Sequence, residues 1–256
     1  MDKNIINSMK HPPIRAERYK RHLSLEHFGK EGQRKIAGAR VLVIGAGGLG
    51  SPALLYLAAA GVRTIGIADK DVVDISNLQR QVIYTTADIG KNKAEMGAIR
   101  VHELNPDVTP IVHAHSITPA NIRPVIEAYD FVIDGTDTFD AKFFINDACV
   151  AKGIPYVHAG VVAYEGQVMT VLPGQSACYR CIFKKPPDQN LNAPEHLGTF
   201  GPVPGIIGGI QATEALKFIT GIGDLLSNRL LTYNALSMMF RTIPLKKQPR
   251  CSACGA

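Results

Sequence analysis

Residues 41–50 of this 256-residue chain, Val41-Leu42-Val43-Ile44-Gly45-Ala46-Gly47-Gly48-Leu49-Gly50, carry its clearest fold signal. Its first four residues are apolar, and a short apolar run that ends at glycines predicts a buried strand. The glycines fit the pattern G-x-G-x-x-G, which between a strand and a helix forms a tight turn against a phosphate at the helix N-terminus. We therefore predict that Gly45, Gly47, Gly48 and Gly50 bind a nucleotide.

Strand and helix patterns alternate around this turn. Further strands are predicted at residues 64–68, 108–112, 131–133 and 155–158, and helical patterns at residues 15–37, 52–60, 91–104, 122–128 and 140–152. Parallel strands need such crossover helices. The alternation therefore predicts a Rossmann-like, doubly wound α/β fold with a mainly parallel sheet.

The C-terminal part of the chain breaks this alternation. Strands are predicted at residues 167–171 and 230–233, a helix at residues 208–220, and a long loop rich in proline, asparagine and glycine at residues 184–205. A hairpin turn is predicted at residues 164–167. We expect these elements to form an antiparallel C-terminal extension of the same sheet.

Composition and charge favour a soluble globular protein without nucleic-acid or membrane partners. Hydrophobic residues make up 46% of the chain, charged residues 20%, and the formal net charge is +6. The basic residues are dispersed, whereas nucleic-acid binding would require them in one stripe. No apolar run approaches the roughly 20 residues that span a bilayer, and the basic N-terminus lacks the apolar segment of a signal peptide. We expect the protein to stay in the cytoplasm.

Four of the five cysteines form two C-x-x-C pairs, Cys178 with Cys181 and Cys251 with Cys254. Two disulfides or free thiols are the plain alternatives, but disulfides are rare in a reducing cytoplasm. Two such pairs favour a tetrahedral four-cysteine zinc site, whose closed coordination sphere gives the metal a structural role. The zinc would tie the C-terminal tail to the middle of the chain.

Polar residues after the second strand indicate which nucleotide binds. Asp69 ends that strand, where its carboxylate can accept hydrogen bonds from ribose hydroxyls. Arg80, Gln81 and Lys93 follow it along the chain. A nicotinamide enzyme has no need for these residues, whereas cations and amide donors offset the charge that develops on a pyrophosphate leaving group. The set favours ATP.

A carboxylate after the strand at residues 131–133 is suited to magnesium. Asp137 lies at the carboxyl edge of the predicted sheet, where open α/β sheets bind their ligands. Magnesium usually takes one or two carboxylates together with phosphate oxygens. We therefore predict that Asp137 is a magnesium ligand.

Two other reactive side chains are predicted to be structural. Cys149 lies on an amphipathic helix and is expected to be a small core residue. His158 ends a predicted strand and is expected to be a hydrogen-bonded structural histidine.

The ordered motifs of the chain together resemble the ThiF/HesA/MoeB family, the bacterial and archaeal relatives of ubiquitin-activating enzymes. The motifs are RYKRH at residues 18–22, EGQ at 31–33, GAGGLGSP at 45–52, ADKDVVDISNLQRQ at 68–81, DGTD at 134–137 and the two C-x-x-C pairs. The resemblance extends from about residue 15 to residue 254.

This resemblance implies an adenylation reaction. The C-terminal glycine carboxylate of a small ubiquitin-like carrier, ending in Gly-Gly, would attack the α-phosphate of ATP and release pyrophosphate. Carriers of this kind deliver sulfur for molybdopterin, thiamine or thiolated tRNA. By position, the resemblance implies that Asp69 holds the ribose, that Asn77, Arg80 and Lys93 hold the phosphates, and that Asp137 holds magnesium.

The resemblance also implies partners and a domain organisation. Arg21 resembles a family arginine that reaches into the ATP site of the neighbouring subunit, which implies a homodimer and adds Arg21 to the catalytic residues. Residues 1–256 would form a single adenylation domain, with nucleotide binding at about residues 15–170 and a zinc-stapled, carrier-facing part at about residues 171–256. No rhodanese-like domain follows Cys254, so we expect an external sulfur donor.

The chain departs from the family pattern at three positions. Thr138 stands where the family usually has asparagine, and Lys142 where it usually has arginine. Pro194 occupies the position of a cysteine that some members use for covalent carrier chemistry. Because proline has no nucleophile, we expect adenylation without a cysteine-linked intermediate.

Two other functions stay open at this point. An NAD-dependent oxidoreductase would share the glycine turn and Asp69, but it would leave Arg80, Lys93 and the zinc site without a role. A non-catalytic family member that binds nucleotide or carrier is suggested by the three departures. Exchange of pyrophosphate into ATP in the presence of candidate carriers separates these functions.

Overall fold

The computed structural model describes residues 17–185 and 198–255, and eight strands within these ranges form one sheet. In chain order they are β1 (Arg40–Ile44), β2 (Thr64–Ala68), β3 (Thr109–His113), β4 (Phe131–Asp134), β5 (Tyr156–Val162), β6 (Glu165–Val171), β7 (Arg229–Asn234) and β8 (Met239–Pro244). Across the sheet their order is β3-β2-β1-β4-β5-β6-β7-β8.

Eight helices lie before and between these strands within the described ranges. They are α1 (Lys20–Leu23), α2 (Gly29–Gly38), α3 (Gly50–Ala60), α4 (Lys93–Leu104), α5 (Ile122–Ile126), α6 (Phe139–Lys152), α7 (Tyr179–Ile182) and α8 (Pro202–Thr220). Two short 3-10 turns, Ile75–Asn77 and Thr86–Asp88, lie between β2 and α4. None of the described helices is both long and apolar enough to cross a lipid bilayer.

The sheet changes from parallel to antiparallel at β5. The strands from β3 to β5 pair in parallel, and those from β5 to β8 pair antiparallel. This arrangement confirms the predicted doubly wound, mainly parallel sheet with an antiparallel C-terminal extension.

Residues of β1 show why both faces of the sheet carry helices. Val41 and Val43 pack into one hydrophobic core, and Leu42 and Ile44 pack into the other. Side chains alternate between the faces of a strand, so a continuous apolar run means that both faces are buried. Cys149 of α6 lies in the second core with no exposed surface, which agrees with its predicted structural role.

The strand order brings the two turns that are predicted to bind ligands to the same edge of the sheet. The chain passes from β1 to β2 on one side, while β4 pairs with β1 on the other. Such a reversal leaves a crevice at the carboxyl ends of the two central strands, where α/β proteins bind ligands. Ile44 is in register with Asp134, so the glycine turn after β1 lies beside the turn that contains Asp137.

Several boundaries differ from the sequence predictions. The loop predicted at residues 184–205 is wrong at its end, because α8 already begins at Pro202. Proline is tolerated in the first helical turn, where its missing N–H would have no intrahelical partner. The helical pattern at residues 15–37 divides into α1 and α2, and positive φ occurs at His27 between them (63°) and at Gly29, where α2 begins (50°).

The antiparallel part also differs from its prediction. The hairpin turn lies earlier than predicted, because Val162 already pairs with Glu165. The strand β8 has no counterpart among the predicted strands. All its residues are exposed, so it lacks the alternation of buried and exposed side chains that marks a half-buried strand.

Candidate nucleotide site and four-cysteine cluster

A cleft of about 840 Å³ lies at the carboxyl ends of β1, β2 and β4. Its lining includes eight residues that the sequence predicts as ligands, namely Gly45, Gly47, Gly48, Asp69, Arg80, Gln81, Lys93 and Asp137. These residues come from separate loops and helix starts, so only the folded sheet brings them together. These eight predicted ligands therefore share one cleft.

The glycine turn after β1 depends on two close backbone approaches. Gly45 has φ of 92°, and a Cβ at this position would come within 2.6 Å of the carbonyl oxygen of Gly135. Gly50 begins α3, and a Cβ there would come within 2.0 Å of the carbonyl oxygen of Gly45. Gly50 therefore allows the close packing of the turn on α3 and does not line the cleft. Gly47 and Gly48 do line it.

Asp69, directly after β2, stabilises the glycine turn. Its carboxylate accepts hydrogen bonds from the backbone N–H groups of Ala46 at 2.8 Å and Asp71 at 2.9 Å. Burial raises the pKa of Asp69, while these N–H groups and the charge of Lys93 oppose the rise. Each carboxylate oxygen has a second acceptor position, so Asp69 can still accept a ribose hydroxyl from the cleft.

Two cations lie on one wall of the cleft. The Lys93 side chain is only 8% exposed, and its Nζ lies 3.6 Å from the carboxylate of Asp71. The Arg80 guanidinium donates to the carbonyl oxygen of Ser76 at 3.0 Å. Both residues line the cleft near the glycine turn, so two cationic side chains lie close to the predicted phosphate position.

Gln81 adds an unusual polar group to the same wall. It is buried, a Cβ at Gly47 would lie 3.5 Å from its Nε2, and its Oε1 has no hydrogen-bond partner among the described residues. A buried acceptor without a partner destabilises a protein by about 1–3 kcal/mol. Gln81 therefore fits a site that is completed by a donor from a ligand or from water.

Asp137 is exposed in the turn after β4, next to a buried charged cluster. The cluster consists of Asp134, Lys142 and His158. The Asp134 carboxylate accepts a hydrogen bond from Nδ1 of His158 at 3.1 Å and lies 3.5 Å from Nζ of Lys142. It also accepts from the backbone N–H and the hydroxyl of Thr136, at 3.1 and 2.6 Å.

The charges in this cluster balance. Burial by itself raises the pKa of Asp134, but the charge of Lys142 and the hydrogen bonds from His158 and Thr136 outweigh it and bring this pKa to about 2. Burial lowers the pKa of His158. The cluster therefore contains a carboxylate, an ammonium and a neutral imidazole, and His158 has the structural role that its position predicts.

Two residues that the resemblance assigns to the ATP site do not line the cleft of their own chain. The side chain of Asn77 accepts from the backbone N–H of Asp74 at 3.2 Å and so caps a 3-10 turn. Arg21 is exposed on α1, beside buried Tyr19, whose hydroxyl accepts from Asn105 at 2.8 Å. The phosphate role of Asn77 and the catalytic role of Arg21 stay predictions.

The far wall of the cleft comes from the antiparallel extension. Residues of β7, β8 and their connection line it, namely Thr232, Tyr233, Asn234, Ser237, Met239 and Arg241. No sequence motif marks these residues, because their place in the site depends on a hairpin that folds back beside β6. A weak sequence signal could have marked Asp134 and Lys142 as site residues, since Asp134 begins the DGTD motif and Lys142 follows shortly after it.

The four paired cysteines meet in a candidate metal centre. Their Sγ atoms all lie within 4.8 Å of one another, with 3.6 Å between Cys178 and Cys251 and 3.4 Å between Cys181 and Cys254. Four thiolates at about 2.3 Å from a tetrahedral zinc ion are about 3.8 Å apart, which is close to these separations. The described cysteines form no disulfide.

The electrostatics of this cluster also suit a cation. Burial raises the pKa of the Cys178 thiol, so a thiolate there is unfavourable unless a positive charge compensates it. The backbone N–H of Gln248 points to the Cys181 sulfur at 3.4 Å, which would stabilise sulfur that carries negative charge. The donor set therefore fits a metal that prefers sulfur ligands.

Known proteins share sequence with this chain along most of its length. It is 42% identical over 241 residues to the SAMP-activating enzyme E1 of Haloferax volcanii, covering 93% of this chain and 88% of that protein. It is 41% identical over 245 residues to the sulfur carrier protein adenylyltransferase of Thermus thermophilus, covering 93% and 90%. It is 44% identical over 237 residues to the probable adenylyltransferase/sulfurtransferase MoeZ of Mycobacterium tuberculosis, covering 91% of this chain and 60% of that protein.

The fold and a family profile agree with these relatives. The structure of E. coli MccB with ATP superimposes with a TM-score of 0.82 at 25% identity, covering 93% of this chain and 74% of that chain. The sequence profile of the ThiF family matches residues 19–253, a range that includes the whole cleft lining and three of the four clustered cysteines. The chain belongs to the ThiF family.

Proposed function

We propose that this chain is an adenylyltransferase that uses ATP and Mg²⁺ to adenylate the C-terminal glycine of a small ubiquitin-like sulfur-carrier protein, releasing pyrophosphate. The proposal is carried by one observation: a glycine turn, the cations Arg80 and Lys93 and the exposed carboxylate of Asp137 share one cleft. The names of two relatives support it, since one is a sulfur carrier protein adenylyltransferase and the other a SAMP-activating enzyme E1.

The residues of the cleft fit a nucleoside triphosphate with magnesium. Asp69 offers acceptor positions for ribose hydroxyls, and the glycine turn leads phosphates to the N-terminus of α3. Asp137 offers the carboxylate oxygen that magnesium takes alongside phosphate oxygens. When bound, the ion neutralises phosphate charge and orients the reacting groups.

Arg80 and Lys93 would stabilise the charge that develops on the leaving pyrophosphate. Lys93 is suited to this role because its side chain is 8% exposed, while its partner Asp71 is 56% exposed. An exposed carboxylate can be solvated by water when Lys93 turns to a phosphate. The cation is therefore available without leaving a buried charge unpaired.

Adenylation needs no nucleophile from this chain, because the carrier supplies its own carboxylate. The cleft continues from the glycine turn to β7 and β8, which leaves room for a carrier tail beside the nucleotide. We propose that this tail ends in Gly-Gly, since glycine allows the closest approach of a backbone to its surroundings.

We further propose that the carrier adenylate is consumed by an external sulfur donor and not by a cysteine of this chain. Cys149 is fully buried, and burial raises its pKa far above its usual range, so it forms no thiolate at neutral pH. The other four cysteines belong to the candidate metal centre. Pro194, on which the sequence prediction rests, lies outside the described residues.

We also propose that the chain forms a homodimer and holds a structural zinc ion. Arg21 is exposed and outside the cleft of its own chain, which supports a homodimer in which it completes the partner's site. We propose structural zinc at Cys178, Cys181, Cys251 and Cys254, in a reducing cytoplasm that keeps these thiols available. One continuous sheet supports a single adenylation domain.

Exchange of labelled pyrophosphate into ATP tests this function. The full chain is incubated with ATP, Mg²⁺ and a panel of purified carriers of the ubiquitin-like fold, each paired with a variant that lacks the last glycine. We expect exchange with at least one carrier and none with its truncated form. Nucleotide binding without exchange would instead support the non-catalytic alternative, and NAD binding in preference to ATP would support the oxidoreductase.

A further inference from the structure

Lys142 is a buried cation whose contacts all lead to the turn after β4 or to its neighbours. Its side chain is 6% exposed on α6. Nζ donates to the carbonyl oxygen of Thr136 at 2.6 Å and to that of Ala159 at 2.7 Å, and it lies 3.5 Å from the Asp134 carboxylate. One ammonium group therefore connects α6, the strand β5 and the turn that ends in Asp137.

Two of these contacts are hydrogen bonds, and the third is an ion pair with the Asp134 carboxylate. A lysine ammonium has three N–H groups, and three protein oxygens surround this one. If Nζ moved to a phosphate, the Asp134 carboxylate, which has no exposed surface, would lose its cation. Leaving a buried charge unpaired is strongly unfavourable, so Lys142 is better placed to hold the turn than to bind the nucleotide.

The other side of the turn is already fixed by backbone. The Gly135 N–H donates to the carbonyl oxygen of Ile44 at 2.8 Å, and Gly45 packs against Gly135 so closely that a Cβ would not fit. These contacts hold the start of the turn against β1. Thr136 comes next, and the bond from Lys142 to its carbonyl oxygen holds the peptide group that leads into Asp137.

We propose that Lys142 is a positioning residue, which fixes the Thr136–Asp137 peptide and thereby places the Asp137 carboxylate for metal-bound nucleotide. The inference rests on the proposed function, because it takes Asp137 as the metal ligand. The charge on Lys142 is needed because it satisfies a buried carboxylate and two carbonyl oxygens at once. An arginine could bridge the same oxygens, whereas an uncharged side chain of equal length could not.

Binding of Mn²⁺ as a magnesium probe tests the role of Lys142 apart from turnover. We would titrate the full chain with Mn²⁺ in the presence of α,β-methylene-ATP and follow free Mn²⁺ by electron paramagnetic resonance. Removing a partner that orients a metal ligand weakens metal affinity by about 10- to 100-fold. We expect a loss of this size for Lys142→Met and retention of most affinity for Lys142→Arg.

Two controls separate positioning from folding and from direct phosphate contact. The double variant Asp134→Asn/Lys142→Met removes both charges of the buried pair, so it should fold as stably as Asp134→Asn yet still bind Mn²⁺ more weakly. Lys152→Met removes a surface lysine of the same helix, paired with Glu127, and should change nothing. Binding of the nucleotide analogue in EDTA, measured by calorimetry, should be the same for Lys142→Met and wild type.

Other results would contradict the positioning role of Lys142 or the function on which it rests. Unchanged Mn²⁺ affinity in Lys142→Met, or affinity of the double variant equal to that of Asp134→Asn, would show that Lys142 only supports the fold. Weaker analogue binding in EDTA would show a direct contact with phosphate. If the wild-type chain bound neither the analogue nor Mn²⁺, the proposed function itself would fail, and the inference with it.

Discussion

The carbonyl oxygen of Gly135 packs so closely on Gly45 that it would lie only 2.6 Å from a Cβ at that position. This contact joins the turn after β1 to the turn after β4, and so joins the predicted phosphate-binding and magnesium-binding parts of the cleft. Both turns lie at the point where the strand order reverses. The geometry of the site therefore depends on one backbone-to-backbone approach.

Replacing Gly45 with alanine is expected to disturb this approach. Gly45→Ala should lower the free energy of unfolding by about 1–3 kcal/mol because of backbone strain at a positive φ. The clash with Gly135 should lower it further. Gly90→Ala is the matched control, since Gly90 has a similar φ of 83° but nothing within 4 Å of a Cβ. Urea unfolding and nucleotide titration should both show a larger effect at Gly45, and equal effects would remove the special role of the Gly45–Gly135 contact.

The cysteine cluster is expected to hold one zinc ion per chain. Elemental analysis of protein purified without added metal should find about one zinc, because four thiolates form a closed tetrahedral site. Cys254→Ser should lower both zinc content and melting temperature, since metal binding and folding are coupled. Cys149→Ser is the control for loss of a thiol and should keep its zinc, although it too can lower stability. A zinc-free wild-type chain that folds and exchanges pyrophosphate would contradict the assignment.

Loss of the Asp137 carboxylate is expected to abolish pyrophosphate exchange. Asp137→Ala removes the proposed magnesium ligand and with it several kcal/mol of transition-state stabilisation. The fold should persist, because Asp137 is exposed. Asp140→Ala, also exposed and in the same cleft, should retain most of the exchange. Exchange by Asp137→Ala at more than a few per cent of the wild-type rate would place the magnesium ligand elsewhere.

Mixing two inactive variants tests the proposed role of Arg21 in the partner subunit. Arg21→Ala and Asp137→Ala chains should each be inactive, but a mixed dimer contains one site that carries neither defect. Mixing should therefore restore part of the exchange activity. Subunit exchange is verified by mass spectrometry of differently tagged chains. If the chains exchange and no activity returns, Arg21 does not complete the site of a neighbour.

The carrier is expected to leave the enzyme as an adenylate without a covalent adduct. Cys149 is buried, the other cysteines are grouped in the candidate metal centre, and none of the five lines the cleft where the acyl phosphate would form. Intact-mass analysis of enzyme, ATP, Mg²⁺ and carrier should show an adenylated carrier and unmodified enzyme. A thiol-sensitive adduct on Cys149 or on a clustered cysteine would contradict this expectation.

The sequence determined the elements whose signals are local. The run from Val41 to Gly50 encodes strand, turn and helix start in adjacent residues, and the structure shows these elements in that order. The spacing of the two C-x-x-C pairs predicts a metal site, and in the structure their four sulfur atoms lie within 4.8 Å of one another. Asp69 and Asp137 follow strands and Lys93 begins a helix, at the edge where parallel sheets bind their ligands.

Which distant residues act together depends on strand order and packing. The pairing of Asp134 with Lys142 and His158 depends on β4 and β5 lying side by side, and no spacing along the chain reveals a shared buried charge. The far wall of the cleft depends on β8, an exposed strand without alternation of buried and exposed residues. This strand is held by its antiparallel pairing with β7. Arg21 lies outside its own cleft because Tyr19 anchors α1 near Asn105. Such contacts are set by strand order and packing, which a local pattern of residues does not contain.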